Sequence, residues 1–292
     1  MAVLYGGNGA TNFIGSGAAD TIFGAGGNDT LNGRGGNDNI YGDSGNDSLI
    51  GGSGLDFMYG GEGDDTLNAT EEGNDQLFGG FGNDLYLVTR STDSVFEGPN
   101  QGIDAVRSLV GYTLDDNVEN LVLTGVTDID GRGNTLNNQI TGNSANNNIS
   151  GLDGNDTLTG GGGNDRFFFG QVLPAGAGVD KITDFVVGRD KIILEQKYSF
   201  GELETAGGSF TSPNLLLATD FAVINTPALA EQIAAATSSD EIVYNRVTGN
   251  LFYNANNNMA GFGTGGGLFA TIVGSPDNLS NTSILVFEPP VT

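Results

Sequence analysis

The residues best placed to do chemistry are aspartates at a fixed interval. Asp20, Asp29, Asp38, Asp47, Asp56 and Asp65 recur every nine residues. One extra residue within 69–73 moves the next to Asp75, and Asp84 restores the period; Asp156 and Asp165 resume it later. Carboxylate and carbonyl oxygens, with no nitrogen or sulfur donor beside them, select calcium over zinc or copper. The chain has no histidine and no cysteine. That removes imidazole bases, Ser-His-Asp triads, histidine zinc sites, disulfides and thiolate metal sites.

What must position these carboxylates is a nonapeptide, G-G-x-G-x-D-x-U-x, with U a large apolar residue. Residues 24–68 run GAGGNDTLN, GRGGNDNIY, GDSGNDSLI, GGSGLDFMY, GGEGDDTLN without insertion. The preceding unit, 6–14, carries Thr11 in place of the aspartate. Position four is glycine in all nine units except at Ala18, as expected for a tight turn with positive φ that approaches an ion. Asn28, Asn37, Asn46, Asn74 and Asn83 at position five also tolerate the left-handed region. Position eight reads Phe13, Ile22, Leu31, Ile40, Leu49, Met58, Leu67, Leu77 and Tyr86. One inward apolar residue per short strand is what a thin two-sided roll needs.

Two nonapeptides then make one coil, and the aspartates fall into two columns. Asp29, Asp47, Asp65 and Asp84 form one; Asp20, Asp38, Asp56 and Asp75 form the other. Backbone carbonyls of Gly24, Gly26, Gly33, Gly35, Gly42, Ser44, Gly51, Ser53, Gly60 and Glu62 complete the expected ligand set. Column neighbours lie ~4.8 Å apart, one strand spacing. Their repulsion is roughly 3 kcal/mol per pair at an effective dielectric near 20. Burying one Ile or Leu returns only ~1.5–3 kcal/mol. The metal-free roll should therefore fail, and several calcium ions between successive turns should fold it. Merely solvated turn aspartates, or disorder of a chain with 50 glycines, are the competing readings. Neither accounts for an apolar residue kept in strict register.

Net charge is −26, so nucleic acid and anionic membrane surfaces are poor partners and cations good ones. No apolar run approaches the ~18 residues of a membrane span. Residues 1–5 lead straight into the first repeat, so no cleaved secretory signal is expected.

Four segments are expected: a first repeat block (1–87), a degenerate solenoid continuation or β insertion (88–132), a second block (133–169) and a β-rich C-terminal cap (170–292). In 88–132 the runs Asp93-x-Val95 and Asp104-x-Val106 hint at further ion contact, with solvated strand starts as the simpler reading. The second block places Asn138 and Asn147 opposite Asp156 and Asp165. Weaker calcium, or an asparagine ladder replacing it, is expected there. In the cap, DKITDF and GRDKIIL read as strands with acidic turns, 226–236 as a short capped helix, and 242–253 as a hairpin.

The chain resembles the RTX family of hemolysin-type calcium-binding repeat proteins. The nonapeptides of 15–87 carry the likeness, with GVDKITDFVVGRDKIIL (178–194) and IVYNRVTGNLFYNANNNMAGF (242–262) similar to segments that follow such repeats. The resemblance implies an all-β parallel β-roll that folds on extracellular calcium. It also implies export by type I secretion machinery through an uncleaved C-terminal signal, and an extracellular or cell-surface location.

Function is expected to be structural or adhesive rather than enzymatic. Alternatives are the C-terminal region of an exoenzyme and a carbohydrate-binding module for a polysaccharide or cell-surface component. The last draws on position nine, where alternate units place Phe23, Tyr41, Tyr59 and Phe78 on one face as a candidate ligand-binding surface. A ladder that stacks on itself is the structural alternative. The threonine array of an ice-binding face is absent: the corresponding column reads Thr21, Asn39, Phe57, Gln76.

Overall fold

The structure is a computed structural model describing residues 1–170, 178–195, 214–215, 221–224, 242–253, 267–274, 276–280 and 283–287. The helix expected over 226–236 lies outside these residues, as does the 254–258 loop. The chain divides into two units, 1–125 with 129–139, and 126–128 with 140–292.

In the first unit each nonapeptide makes one short strand, and successive strands alternate between two parallel sheets. One sheet runs Val3–Tyr5, Thr21–Phe23, Asn39–Ser44, Phe57–Glu62, Gln76–Phe81, Ser94–Phe96. The other runs Asn12–Ile14, Thr30–Gly35, Ser48–Ser53, Thr66–Ala69, Leu85–Val88, Ala105–Ser108, Asn120–Leu123. Register is set by the position-eight residues. Ile22, Ile40, Met58, Leu77 and Val95 align in one sheet. Leu31, Leu49, Leu67, Tyr86, Val106 and Leu121 align in the other. All eleven are at most 1% exposed, and a one-residue slip would turn every one of them to solvent. The all-β parallel β-solenoid anticipated above is the fold.

Position four behaves as its glycines require: Gly54 has φ 131° and Gly63 φ 118°. A Cβ on Gly54 would strike the Gly36 carbonyl of the preceding coil. Position two is left-handed as well, which the repeat pattern did not announce. Glycine holds it at Gly52, Gly61 and Gly80, but Ala25, Arg34 and Asp43 adopt φ of 76°, 73° and 72°. An L-residue in that region costs roughly 1–2 kcal/mol, against which glycine gives up part through unfolded-state entropy. Arg34→Gly should thus stabilise the calcium-loaded roll by about 0.5–1 kcal/mol. Urea unfolding at saturating calcium measures it, and a loss of stability would refute the strain argument.

The glycine-poor stretch after residue 87 continues the parallel stack, with Ala105–Ser108 on Leu85–Val88 and Asn120–Leu123 on Ala105–Ser108. Tyr112–Thr113 pairs with Gly131–Arg132 in a further short ladder.

In the second unit Thr157–Thr159 pairs with Asp180–Ile182, and Arg166–Gly170 with Lys191–Glu195, all parallel. Gly267–Ile272 joins the first of these pairs in parallel, and Ile284–Phe287 the second. The hairpin Ile242–Asn245 with Asn250–Tyr253 is antiparallel and packs edge to edge on Gly267–Ile272. Among the described residues no helix is long and apolar enough to cross a membrane.

Candidate metal centres

The turns between strands carry the aspartates, and the two columns form as the coil length dictates. Each Asp N–H donates to Oδ1 of the aspartate one coil later. Asp29, Asp47 and Asp65 donate at 2.7 Å to Asp47, Asp65 and Asp84. Asp20, Asp38 and Asp56 donate at 2.7, 2.8 and 2.9 Å to Asp38, Asp56 and Asp75. The columns run further than the glycine pattern: Asp75 donates to Asp93 at 3.1 Å and Asp84 to Asp104 at 2.8 Å. Asp93 and Asp104 are 5% and 1% exposed, so the simpler reading of them as solvated strand starts is wrong. Their D-x-V spacing was the available signal. It is the D-x-U core of the repeat without the glycines.

One carboxylate oxygen is thus committed to the backbone, and the other is left. Oδ2 of Asp29, Asp38, Asp47, Asp56, Asp65, Asp75, Asp84 and Asp93 is buried with no hydrogen-bond partner. A buried acceptor without a partner costs ~1–3 kcal/mol, more when charged. Eight stacked in two columns point to a cation.

The space for one lies at position one. A Cβ built on Gly42 would land on Asp47 Oδ2 and sit 2.6 Å from the Gly60 carbonyl. On Gly24, Gly33 and Gly60 it would likewise meet the unit's own Asp Oδ2 and, at 2.8, 2.7 and 2.5 Å, the carbonyls of Gly42, Gly51 and Gly79. Calcium–oxygen distances of 2.3–2.6 Å match a cradle that a single carbon would fill. The residues fit a hard dication.

The remaining expected ligands divide. Gly24 offers its carbonyl to the cradle at Gly6, where the unit has Thr11 instead of a carboxylate. The position-three carbonyls of Ser44, Ser53 and Glu62 accept N–H groups from Gly27, Gly36 and Gly45 at 2.8–2.9 Å, and Gly26 and Gly35 directly precede two of these turn glycines. Asp20 departs from its column-mates. Its Oδ2 accepts from Ser16 N–H and Oγ–H at 2.7 and 2.8 Å, and these bonds hold its carboxyl down at about 2.

Seven other column members move the opposite way. Burial pushes Asp38 and Asp84 up to about 6 and Asp65 and Asp75 to about 7, with neighbouring column aspartates adding to the effect. Asp47, Asp56 and Asp93 are raised chiefly by burial too. Without a counter-ion these groups favour the neutral form.

In 133–170 the asparagines do something different. Asn138 Oδ1 accepts from Asn134 N–H at 2.8 Å while its amide donates to the carbonyls of Val118 and Glu119. Asn147 Oδ1 accepts from Asn143 N–H at 2.9 Å. A neutral amide network occupies the column position there. The aspartates of this block look onward: Asp156 N–H donates to Asp180 and Asp165 N–H to Asp190, both at 3.1 Å. Asp165 Oδ2 is buried without a hydrogen-bond partner, and burial raises its carboxyl to about 6. Asp180 and Asp190 were read only as acidic turns, although D-x-I at 180–182 and 190–192 repeats the nonapeptide core.

Position nine gives a stack of six rings, Tyr5, Phe23, Tyr41, Tyr59, Phe78 and Phe96. Centroids are 4.7–5.0 Å apart and planes within 11° of parallel. The ring faces are spent on one another, leaving mainly edges to the outside.

Comparison with known proteins bears on these columns. The RTX calcium-binding nonapeptide repeat matches four times, over residues 5–40, 33–67, 69–86 and 132–171. A stretch of 117 residues, 40% of the chain, is 46% identical to the endo-1,3-1,4-beta-glycanase EglC of Rhizobium meliloti (strain 1021). The match spans 24% of that relative's length.

Proposed function

From the premise that this chain carries RTX calcium-binding nonapeptide repeats on a parallel β-solenoid, we propose that it is a secreted protein that folds on extracellular calcium and serves a structural or adhesive role. The observation that carries the reading is the set of buried, unpartnered Oδ2 atoms, those of Asp29, Asp38, Asp47, Asp56, Asp65 and Asp84 each facing a position-one glycine. Calcium ligands in this reading are Asp29, Asp38, Asp47, Asp56, Asp65, Asp75 and Asp84 with the carbonyls of Gly33, Gly42, Gly51, Gly60 and Gly79. Asp165 and the pair Asp156–Asp180 extend it to the second block. Export would use type I secretion machinery, keeping the chain unfolded in a low-calcium interior. Circular dichroism at neutral pH should show β signal appearing at millimolar calcium and vanishing with a chelator. A chain equally ordered in both, or in neither, would sink the proposal.

The sequence lacks histidine and cysteine, and among the described residues no catalytic constellation stands apart from the columns. A second reading, a module serving a polysaccharide-acting protein, is favoured by the glycanase relative. The ring ladder argues against sugar stacking on its flanks, because a sugar needs an open ring face. Tyr41→Ala with Tyr59→Ala should instead act on stability, removing three of the five stacked pairs. At ~0.5–1.5 kcal/mol per pair the loss is about 2–4 kcal/mol. Urea unfolding reads that loss. A variant of undiminished stability that no longer binds β-glucan would reverse the assignment.

A further inference from the structure

At the end of the first repeat block the cradle changes its chemistry. Phe78 aligns with Phe96, so Glu97 follows Phe96 as Gly79 follows Phe78. The glycine series ends there, and a carboxylate side chain takes the place. The three atoms nearest a Cβ on Gly79 would be the Tyr86 hydroxyl, Asp84 Oδ2 and Glu97 Oε1, where at Gly42 and Gly60 a glycine carbonyl is among them. Asp84, Glu97 and Asp104 each bring a carboxylate oxygen within 4.8 Å of the others.

Two further observations separate this from a chance acidic cluster. Asp84 is 2% exposed, and its Oδ2, aimed at this point, has no hydrogen-bond partner. Glu97 Oε2 is buried and likewise unpartnered, although Oε1 accepts from the Tyr86 hydroxyl. Asp104 is 1% exposed and spends Oδ1 on the Asp84 N–H. None of the ion pairs among the described residues reaches the group. Three carboxylates this close, two of them almost fully buried, keep their charge only beside a compensating cation.

We propose that Glu97 and Asp104, neither of them part of the glycine-rich repeat, join Asp84 in a three-carboxylate calcium site that ties the loop 97–104 to the last glycine-rich coil. All donors are hard oxygens, which favours calcium over softer metals. Three anionic ligands, where a regular rung offers fewer, should make it the first site to fill, since calcium affinity rises with ligand charge. Tyr86 positions Glu97 through its hydroxyl and is not itself needed as a ligand.

The test uses the full chain. Equilibrium dialysis with metal analysis should find one calcium ion fewer per chain in Glu97→Gln than in the unsubstituted protein, with the calcium-induced β signal retained. A Glu97→Gln chain with the full ion count overturns the site, while loss of ions in Asp47→Asn would leave the reading of the regular columns intact. An unsubstituted chain that binds no calcium defeats both. Should Glu97→Gln fail to fold, Tyr86→Phe decides. Terbium, a calcium mimic excited through nearby phenols, should lose most of its first-equivalent emission in Tyr86→Phe; unchanged emission overturns the proposal.

Discussion

Kept free of calcium, the chain is expected to be largely unstructured at about pH 8 and to gain β signal as the pH falls to about 5. An ordinary aspartate titrates near 3.9. In the metal-free fold burial raises Asp38, Asp84 and Asp104 to about 6 and Asp65 and Asp75 to about 7. The folded form thus holds protons that the unfolded form has released. Its stability is fullest below the unfolded value and is lost as the pH rises through 6 to 7. Acid does in part what calcium does, by removing charge from the columns. The sequence pI of about 4.1 sets a lower limit on useful acidification, because solubility falls there. Circular dichroism against pH with chelator present makes the measurement. A pH-stat should also record proton release when calcium is added near pH 6.5. No acid-induced β signal would mean that charge burial is not what opposes the metal-free fold.

Gly42→Ala should raise the calcium concentration needed for folding by about tenfold or more, equivalent to ~1.4 kcal/mol or more. The substitution is clean because Gly42 does not have a left-handed φ. Alanine therefore brings no backbone strain. Its one added carbon goes where Asp47 Oδ2 and the Gly60 carbonyl converge, the place assigned to the ion. Gly17→Ala is the matched control, with nothing within 4 Å of the new carbon and no positive φ; its midpoint should stay within ~0.5 kcal/mol of the original. Calcium titrations of both by circular dichroism give the comparison. A Gly42→Ala midpoint equal to the control would remove the ion from the cradle.

Much of the fold was legible because the repeat is local. A residue such as Leu49 takes its register from neighbours one coil away, Leu31 and Leu67. Strand spacing and the nine-residue period therefore determine the sheet register, the two aspartate columns and the ring ladder together. Legibility faded where the spacing loosened. Asp104, Asp180 and Asp190 follow their column predecessors by 20, 24 and 25 residues, so no fixed period announces them. Their turns absorb the extra residues outside the ladder while the D-x-apolar core stays in register. Asp93 keeps the regular 18-residue spacing but lacks the glycines around it.

The opening aspartates show where the division lies. By itself the sequence determined an all-oxygen chemistry, two acidic columns, one inward apolar residue per strand and an aromatic face. Those follow from residue type and period, which fix what lies above what. Only the tertiary structure decided how a carboxylate such as Asp47 divides its oxygens, one to the backbone of the previous coil and one to a cradle at position one. It also decided that Asp20 satisfies both oxygens without an ion, and that Glu97 enters the column of Asp84 and Asp104. Such choices depend on which atoms converge between coils, and distance along the chain does not encode that.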